Sequence, residues 1–156
     1  MHLADLITQD LILPDMQSMG KRDAIFELAA LVAGQECSAL QETIARILME
    51  RERLASTAIG NEIAIPHGKL NSMQKLVLAL GRSKQGLDFE SVDGKPTRLF
   101  FVLLAPENST GIHLKALARI SRLCKEPSFC SRLLEAADSR EMYDVLCTED
   151  AKFHVR

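Results

Sequence analysis

Arg98-Leu-Phe-Phe-Val-Leu-Leu-Ala105 is an almost unbroken run of apolar side chains, and its reading decides the fold. A strand with one wet face alternates apolar and polar residues, so a run without alternation predicts a strand covered on both faces. The run, including its neighbour Pro106, falls far short of the roughly 20 residues that a membrane helix needs. Residues 75–81 read as a second core strand, and the turn-rich stretch 86–96, with Asp93-Gly94, separates the two. Helical patterns flank this centre. On the N-terminal side, Leu11-Ile-Leu-Pro14 precedes a helix over about 21–32, where Ala24, Ile25, Leu28, Ala29, Leu31 and Val32 form an apolar stripe and Gly34 stops it. A second helix opens at Ser38-Ala-Leu-Gln41, which matches a capping box, and carries Leu40, Ile44, Ile47 and Leu48 toward Arg51 and Arg53. On the other side, Leu114, Leu117, Ala118 and Leu123 recur at helical spacing, Pro127 breaks the pattern, and a further helix covers about 128–137. Asp138-Ser-Arg-Glu141 caps the last one. Helices before and after a group of core strands predict an α/β chain, a three-layer α/β/α sandwich with a mixed central sheet. Residues 1–156 read as a single domain whose polar tail frays after about 148.

Composition narrows the function. The apolar fraction is 47% and the charged fraction 26%, ordinary for a soluble globular protein. A net charge of −2, no Trp and a single Tyr argue against a nucleic-acid surface. Cys37, Cys124, Cys130 and Cys147 form no C-x-x-C pair and read as buried reduced thiols without an activating neighbour. The N-terminus, without a basic region followed by an apolar run, does not read as an export signal. A reducing, cytoplasmic location is expected. Neither zinc spacings, a P-loop nor a Gly-rich dinucleotide loop occurs, so neither metal nor cofactor is expected.

The chemistry is concentrated in Ser56-Thr-Ala-Ile-Gly-Asn-Glu-Ile-Ala-Ile-Pro-His-Gly-Lys69. Pro66 biases Ile65 toward an extended backbone, and Gly68 allows a sharp turn that offers N–H groups beside the His67 ring. Arg51, Arg53 and Lys69 add positive charge, and Ser56 and Thr57 add hydroxyls; a phosphoryl group is the anion that suits them. If residues 62–67 are extended, Ile63, Ile65 and His67 share one face and Glu62 points away from the anion. His113, near the start of the helix after 99–105, is the second candidate, close to a positive helix end. The spacing alone also fits a strand ending in a turn with a surface histidine. His2 and His154, in the terminal segments, are assigned no role.

Taken together, Arg51-Glu52, Ser56-Thr57, Ile59-Gly60, Ile63-Ala-Ile-Pro-His-Gly-Lys69 and His113-Leu114 resemble the type-2 enzyme IIA domains of the phosphoenolpyruvate-dependent phosphotransferase system. The resemblance runs in order over nearly the whole chain and is strongest to the nitrogen-regulatory IIA branch, with the fructose and mannitol IIA domains close behind. It implies a mannitol-IIA-like fold and a phosphotransferase with a phosphohistidine intermediate. His67 would take a phosphoryl group on Nε2 from a small HPr/NPr-type phosphocarrier protein. His113 would support the phosphorylated state and Arg51 its charge, with Thr57, Gly68 and Lys69 as further phosphate contacts. Ala55, Ala58 and Glu62 stand where related sequences often have glycine. Phosphate either stops on His67 as a regulatory signal or, in a fructose/mannitol-type sugar-transport subunit, passes to a IIB component. A metal-binding or purely structural use of His67 and His113 is the third reading.

Overall fold

A computed structural model describes residues 1–34 and 38–152, with the side chains of Ser38 and Ala39 left aside. Cys37 and His154 therefore lie outside the described residues.

The apolar run forms strand β6, and everything else is arranged around it. In chain order the elements are β1 (Ile12–Leu13), α1 (Lys21–Ala33), α2 (Ser38–Leu54), β2 (Ala58–Gly60), β3 (Ile63–Ala64), β4 (His67–Leu70), β5 (Val77–Leu87), β6 (Thr97–Pro106), α3 (Thr110–Cys124), α4 (Pro127–Glu135) and α5 (Ser139–Lys152). Leu99 through Ala105 are all buried, as a strand covered on both faces requires. β5 pairs with β6 antiparallel along one side, and β3 and then β4 pair with it in parallel along the other. β1 joins β5 in parallel and β2 joins β3 antiparallel, so the sheet is mixed, in the order β1-β5-β6-β3-β2 with β4 also on β6.

Side-chain alternation along β6 feeds two cores. Leu99, Phe101, Leu103 and Ala105 face α3, α4 and α5, together with Ile63, Ile65, Ile120, Phe129, Leu133 and Leu146. Phe100, Val102 and Leu104 face α1 and α2, with Ala64, Ile25, Leu28, Ile44 and Leu48. Helices thus cover both faces of a mixed sheet, the predicted three layers.

Gly34 closes α1 as anticipated, at φ 68° with its N–H on the Ala30 carbonyl at 3.0 Å. The Asp138 box also forms: Asp138 Oδ1 accepts the Glu141 N–H at 2.9 Å, and Glu141 Oε2 accepts the Ala137 N–H at 2.8 Å. At the second helix, the box expected from Ser38 to Gln41 falls on side chains outside those described; Gln41 Nε2 donates to the Phe26 carbonyl at 3.3 Å.

Four expectations change. β5 continues past Gly81 to Leu87, because Arg82 is held in the ladder opposite Leu99 and is itself buried. α3 turns a face one residue from the anticipated stripe: His113, Ala116, Ile120 and Leu123 are buried, while Leu114 and Ala118 are exposed. Counting only apolar residues missed a face that includes a histidine. The polar tail does not fray at 148. α5 runs through Glu149 and Asp150, both buried: Asp150 Oδ1 accepts from Arg119 Nε at 2.6 Å, and Glu149 pairs with Arg132. Paired charges can be buried where single ones cannot. Lastly, Asn61 and Glu62 take φ of 55° and 69°, so the chain turns there and becomes extended only at Ile63.

Candidate functional site

β3 and β4 follow one another along the same side of β6, and Pro66 sits at the join. Its ring removes an N–H that the ladder does not use, while its carbonyl accepts the Leu103 N–H at 2.9 Å. His67 therefore starts a strand, opposite Leu103, instead of ending one in a loop. This corrects the expected turn, and Gly68 with it. Gly68 lies within β4 opposite Leu104, and a Cβ there would run into Cγ2 of Ile47 on α2. Its missing side chain serves close approach of helix and strand, not a turn. Gly68→Ala should cost about 1–3 kcal/mol by overpacking. Adding Ile47→Ala should recover part of it, a coupling of roughly 1 kcal/mol readable in a double-mutant denaturation cycle.

The His67 ring is half-buried, and its two nitrogens have different partners. Nδ1 lies 2.8 Å from the Ile65 carbonyl oxygen, which can only accept, so Nδ1 carries the proton. The lone pair is then on Nε2, and Arg51 Nε donates to it at 3.3 Å. Arg51 comes from the last turn of α2, where a second N–H of its guanidinium donates to the Ala55 carbonyl at 2.9 Å. From the opposite layer, the His113 ring meets that of His67 edge-on, with centroids 5.5 Å apart. His113 Nε2 is buried and has no hydrogen-bond partner among the described residues. Lys69 Nζ donates to Thr110 Oγ1 at 2.6 Å, at the first residue of α3. One strand start, one helix end and one helix start thus bring His67, Arg51, His113 and Lys69 together.

Thr57 stands apart. It is buried, and its hydroxyl and N–H both donate to the Glu52 carboxylate, the N–H at 3.0 Å. Glu52 also receives Lys21 Nζ at 3.1 Å. This carboxylate holds the chain from α2 into β2, and sequence reasoning singled it out only as the neighbour of Arg51. A signal was present: an acidic residue in the last turn of a helix opposes the dipole, which calls for a cationic or N–H partner. Glu62, on the far side, faces Arg98, with 3.6 Å between the charged groups.

Electrostatics keep both rings neutral. Burial lowers the His67 pKa most and the Arg51 charge lowers it further, while the Ile65 carbonyl bond and the Glu52 carboxylate oppose them. Burial also lowers His113, with His67 and Lys69 adding to the effect. A lowered pKa leaves the ring unprotonated at pH 7 and for some distance below the ordinary 6.5. Chemistry that uses the Nε2 lone pair should hold its rate from pH 8 downward and fall only as pH drops through the lowered value. An NMR titration of the ring protons checks this, and Arg51→Ala should move the midpoint upward by removing a positive neighbour. Among the described residues, no group of three His, Cys, Asp or Glu side chains could hold a metal ion. Nor is any helix among them long and apolar enough to cross a membrane. The arrangement suits a nucleophilic imidazole beside a cationic anion cradle.

Residues 5–148 match the family described as phosphoenolpyruvate-dependent sugar phosphotransferase system, EIIA 2. The nitrogen regulatory protein of Bradyrhizobium diazoefficiens is 40% identical over 154 residues, covering 97% of this chain and 98% of that one. The fructose-specific EIIABC component of Bacillus subtilis is 33% identical over 96% of this chain, which spans 24% of that longer protein. The crystal structure of the nitrogen regulatory protein IIA-Ntr from Neisseria meningitidis superposes with a TM-score of 0.85 at 30% identity, covering 92% of this chain and 98% of that one.

Proposed function

Because the chain belongs to the type-2 EIIA family of the phosphoenolpyruvate-dependent phosphotransferase system, we propose that it is a phosphocarrier which accepts a phosphoryl group on Nε2 of His67. The donor is the phosphohistidine of a small HPr/NPr-type carrier protein, and the phosphorylation state then serves as a regulatory signal. The observation that carries this reading is the bond from Nδ1–H to the Ile65 carbonyl, which leaves Nε2 as the only basic ring nitrogen and aims it at Arg51.

The transfer is written as in-line displacement. The Nε2 lone pair attacks phosphorus, the bond from phosphorus to the donor imidazole breaks, and that ring leaves with the electron pair. Donor and acceptor are both phosphoramidates, so the step is close to balanced and reversible. The protein positions the ring and neutralises the equatorial oxygens. Arg51 supplies charge and donors to the phosphate, and Lys69 adds charge from the start of α3. His113, neutral with its proton on Nε2, donates from that buried nitrogen. Thr57 acts through Glu52, holding the loop behind Arg51. Gly68 lets β4 approach α2. Leu54, three residues beyond Arg51, and Ile112 and Leu114, on either side of His113, expose apolar surface on which a carrier protein can dock. No metal or nucleotide enters the step.

The similarity to a whole-length nitrogen regulatory protein supports phosphate ending here as a signal. A phosphoryl group adds roughly −1.5 to −2 charges, enough to make or break an interface. The similarity to part of a fructose-specific component supports the second reading, a sugar-transport subunit that passes phosphate to a IIB component. Both are tested together. The protein is incubated with phosphoenolpyruvate, the general phosphotransferase and its carrier, and intact mass is followed. One acid-labile, alkali-stable phosphoryl group is expected to be gained and to persist when sugar-specific IIB acceptors are added. No gain overturns phosphoryl acceptance, and rapid discharge to a IIB acceptor overturns the terminal signal.

A further inference from the structure

Cys124 is the last residue of α3 and Cys130 the fourth of α4, and the short turn between them sets the two cysteines side by side. Cys130 Sγ also lies 3.5 Å from the Cys124 carbonyl oxygen. Cys124 is buried in the core beneath the α3–α5 layer. Cys130 is half-buried, next to the exposed residues 125–128, so a small oxidant in water reaches it first. The sequence hid this pair: five residues separate the cysteines, and no C-x-x-C spacing marks them.

The two sulfurs are not equivalent. The shared hydrogen bond and burial both push the Cys124 thiol up. The same bond, accepted by Cys130, holds the Cys130 thiol down against its own burial and against the Glu62 carboxylate. Cys130 also sits in the first turns of α4, where the helix dipole favours a thiolate. A half-buried, more acidic sulfur beside a buried, less acidic one is the arrangement of an attacking and a resolving thiol.

We propose that Cys130 and Cys124 form a hydroperoxide-responsive pair that closes to an intramolecular disulfide, with Cys130 attacking and Cys124 resolving. The Cys130 thiolate attacks one oxygen of hydrogen peroxide; the O–O bond breaks and hydroxide leaves, taking up the proton that Cys130 released. The product is a sulfenic acid. Cys124 sulfur then attacks the sulfenic sulfur, the S–S bond forms, the S–O bond breaks, and water departs with the Cys124 proton. Two thiols and one peroxide give one disulfide and two waters, and a dithiol reductant reverses the change. Cys124 lies eleven residues beyond His113 on the same helix, about 16 Å along its axis, so this chemistry is separate from that at His67. Cys147 has a different partner, Tyr143, and burial pushes its thiol up.

The test treats the reduced full-length chain with one equivalent of hydrogen peroxide, alkylates the remaining thiols and digests with trypsin without reduction. Lys125 lies between the two cysteines, so the disulfide joins peptide 123–125 to peptide 126–132. The expected result is loss of two of the four thiols, a mass decrease of two hydrogens, the joined peptide, and full reversal by dithiothreitol. Cys124→Ser should stop at a Cys130 sulfenic acid captured by dimedone. Cys130→Ser should slow oxidation of Cys124 at least tenfold, and Cys147→Ser should behave like the natural chain. A chain that keeps all four thiols overturns the proposal, as does a disulfide through Cys37 or Cys147 or dimedone capture at Cys124 instead of Cys130.

Discussion

Replacing His67 with alanine is expected to abolish phosphoryl acceptance from the carrier, by more than about 10³-fold, while leaving the fold intact. Among the described residues, no other ring nitrogen near His67 can take its place. His113 Nε2 is buried, and its ring meets His67 edge-on without the carbonyl bond that sets the His67 tautomer. The His67 ring is half-buried, so its loss should cost little stability: the ladder from His67 through Leu70 is made by backbone groups opposite Leu103 through Pro106. Loss of His113 should behave differently, slowing acceptance by about 10²-fold, the scale of one missing transition-state donor. Rapid mixing of each variant with the phosphorylated carrier measures both rates. Acceptance by His67→Ala at more than a hundredth of the natural rate would move the site elsewhere.

Arg82→Met should produce the largest loss of stability. The Arg82 guanidinium is almost fully buried in β5, yet among the described residues it faces no carboxylate. Nε donates to the Pro14 carbonyl at 3.0 Å, and one terminal nitrogen donates to Leu133, Leu134 and Ala136 carbonyls at 2.9, 3.3 and 2.7 Å. The last turn of α4 leaves its carbonyls without helical partners, and the cation caps them at the negative end of the dipole. Many buried ion pairs can be replaced by apolar side chains at no cost, because both charges leave together. Here the acceptors are main-chain oxygens that stay behind. Hydrogen bonds to a charged group contribute roughly 1.5–3 kcal/mol each, so the loss should reach about 3 kcal/mol or more. For a chain of this size that lowers Tm by roughly 6–12 °C. Calorimetry of Arg82→Met and Arg82→Lys checks it. A Met variant as stable as the natural chain would mean the carbonyls find water, and the Lys variant should recover part of the loss.

Reading the sequence located what local pattern controls. The unbroken apolar run from Leu99 to Ala105 announced a strand buried on both faces, and Gly34 and Asp138 marked helix ends through their own backbone chemistry. Hidden was whatever depends on a distant partner. Nothing around Arg82 says that it will be buried, since the carbonyls that make this tolerable belong to residues more than fifty positions away in either direction. Glu149 and Asp150 look like a polar tail until Arg132 and Arg119 are brought against them. At the site, the histidines and Arg51 stood out because their residue types and neighbours were telling. The role of Gly68 did not, because a glycine that admits Ile47 looks, in sequence, like a glycine that makes a turn. Thr57 looked free for an anion for the same reason: its partner Glu52 lies a full turn earlier on α2.

The central claim concerns a single atom, Nε2 of His67. Nitrogen-15 NMR of the labelled, phosphorylated protein resolves the two ring nitrogens of each histidine and the coupling of one of them to phosphorus. Phosphorus bonded to Nε2 of His67, with Nδ1 still protonated toward the Ile65 carbonyl, is the predicted result. Phosphorus on Nδ1 of His67, or on His113, would contradict it.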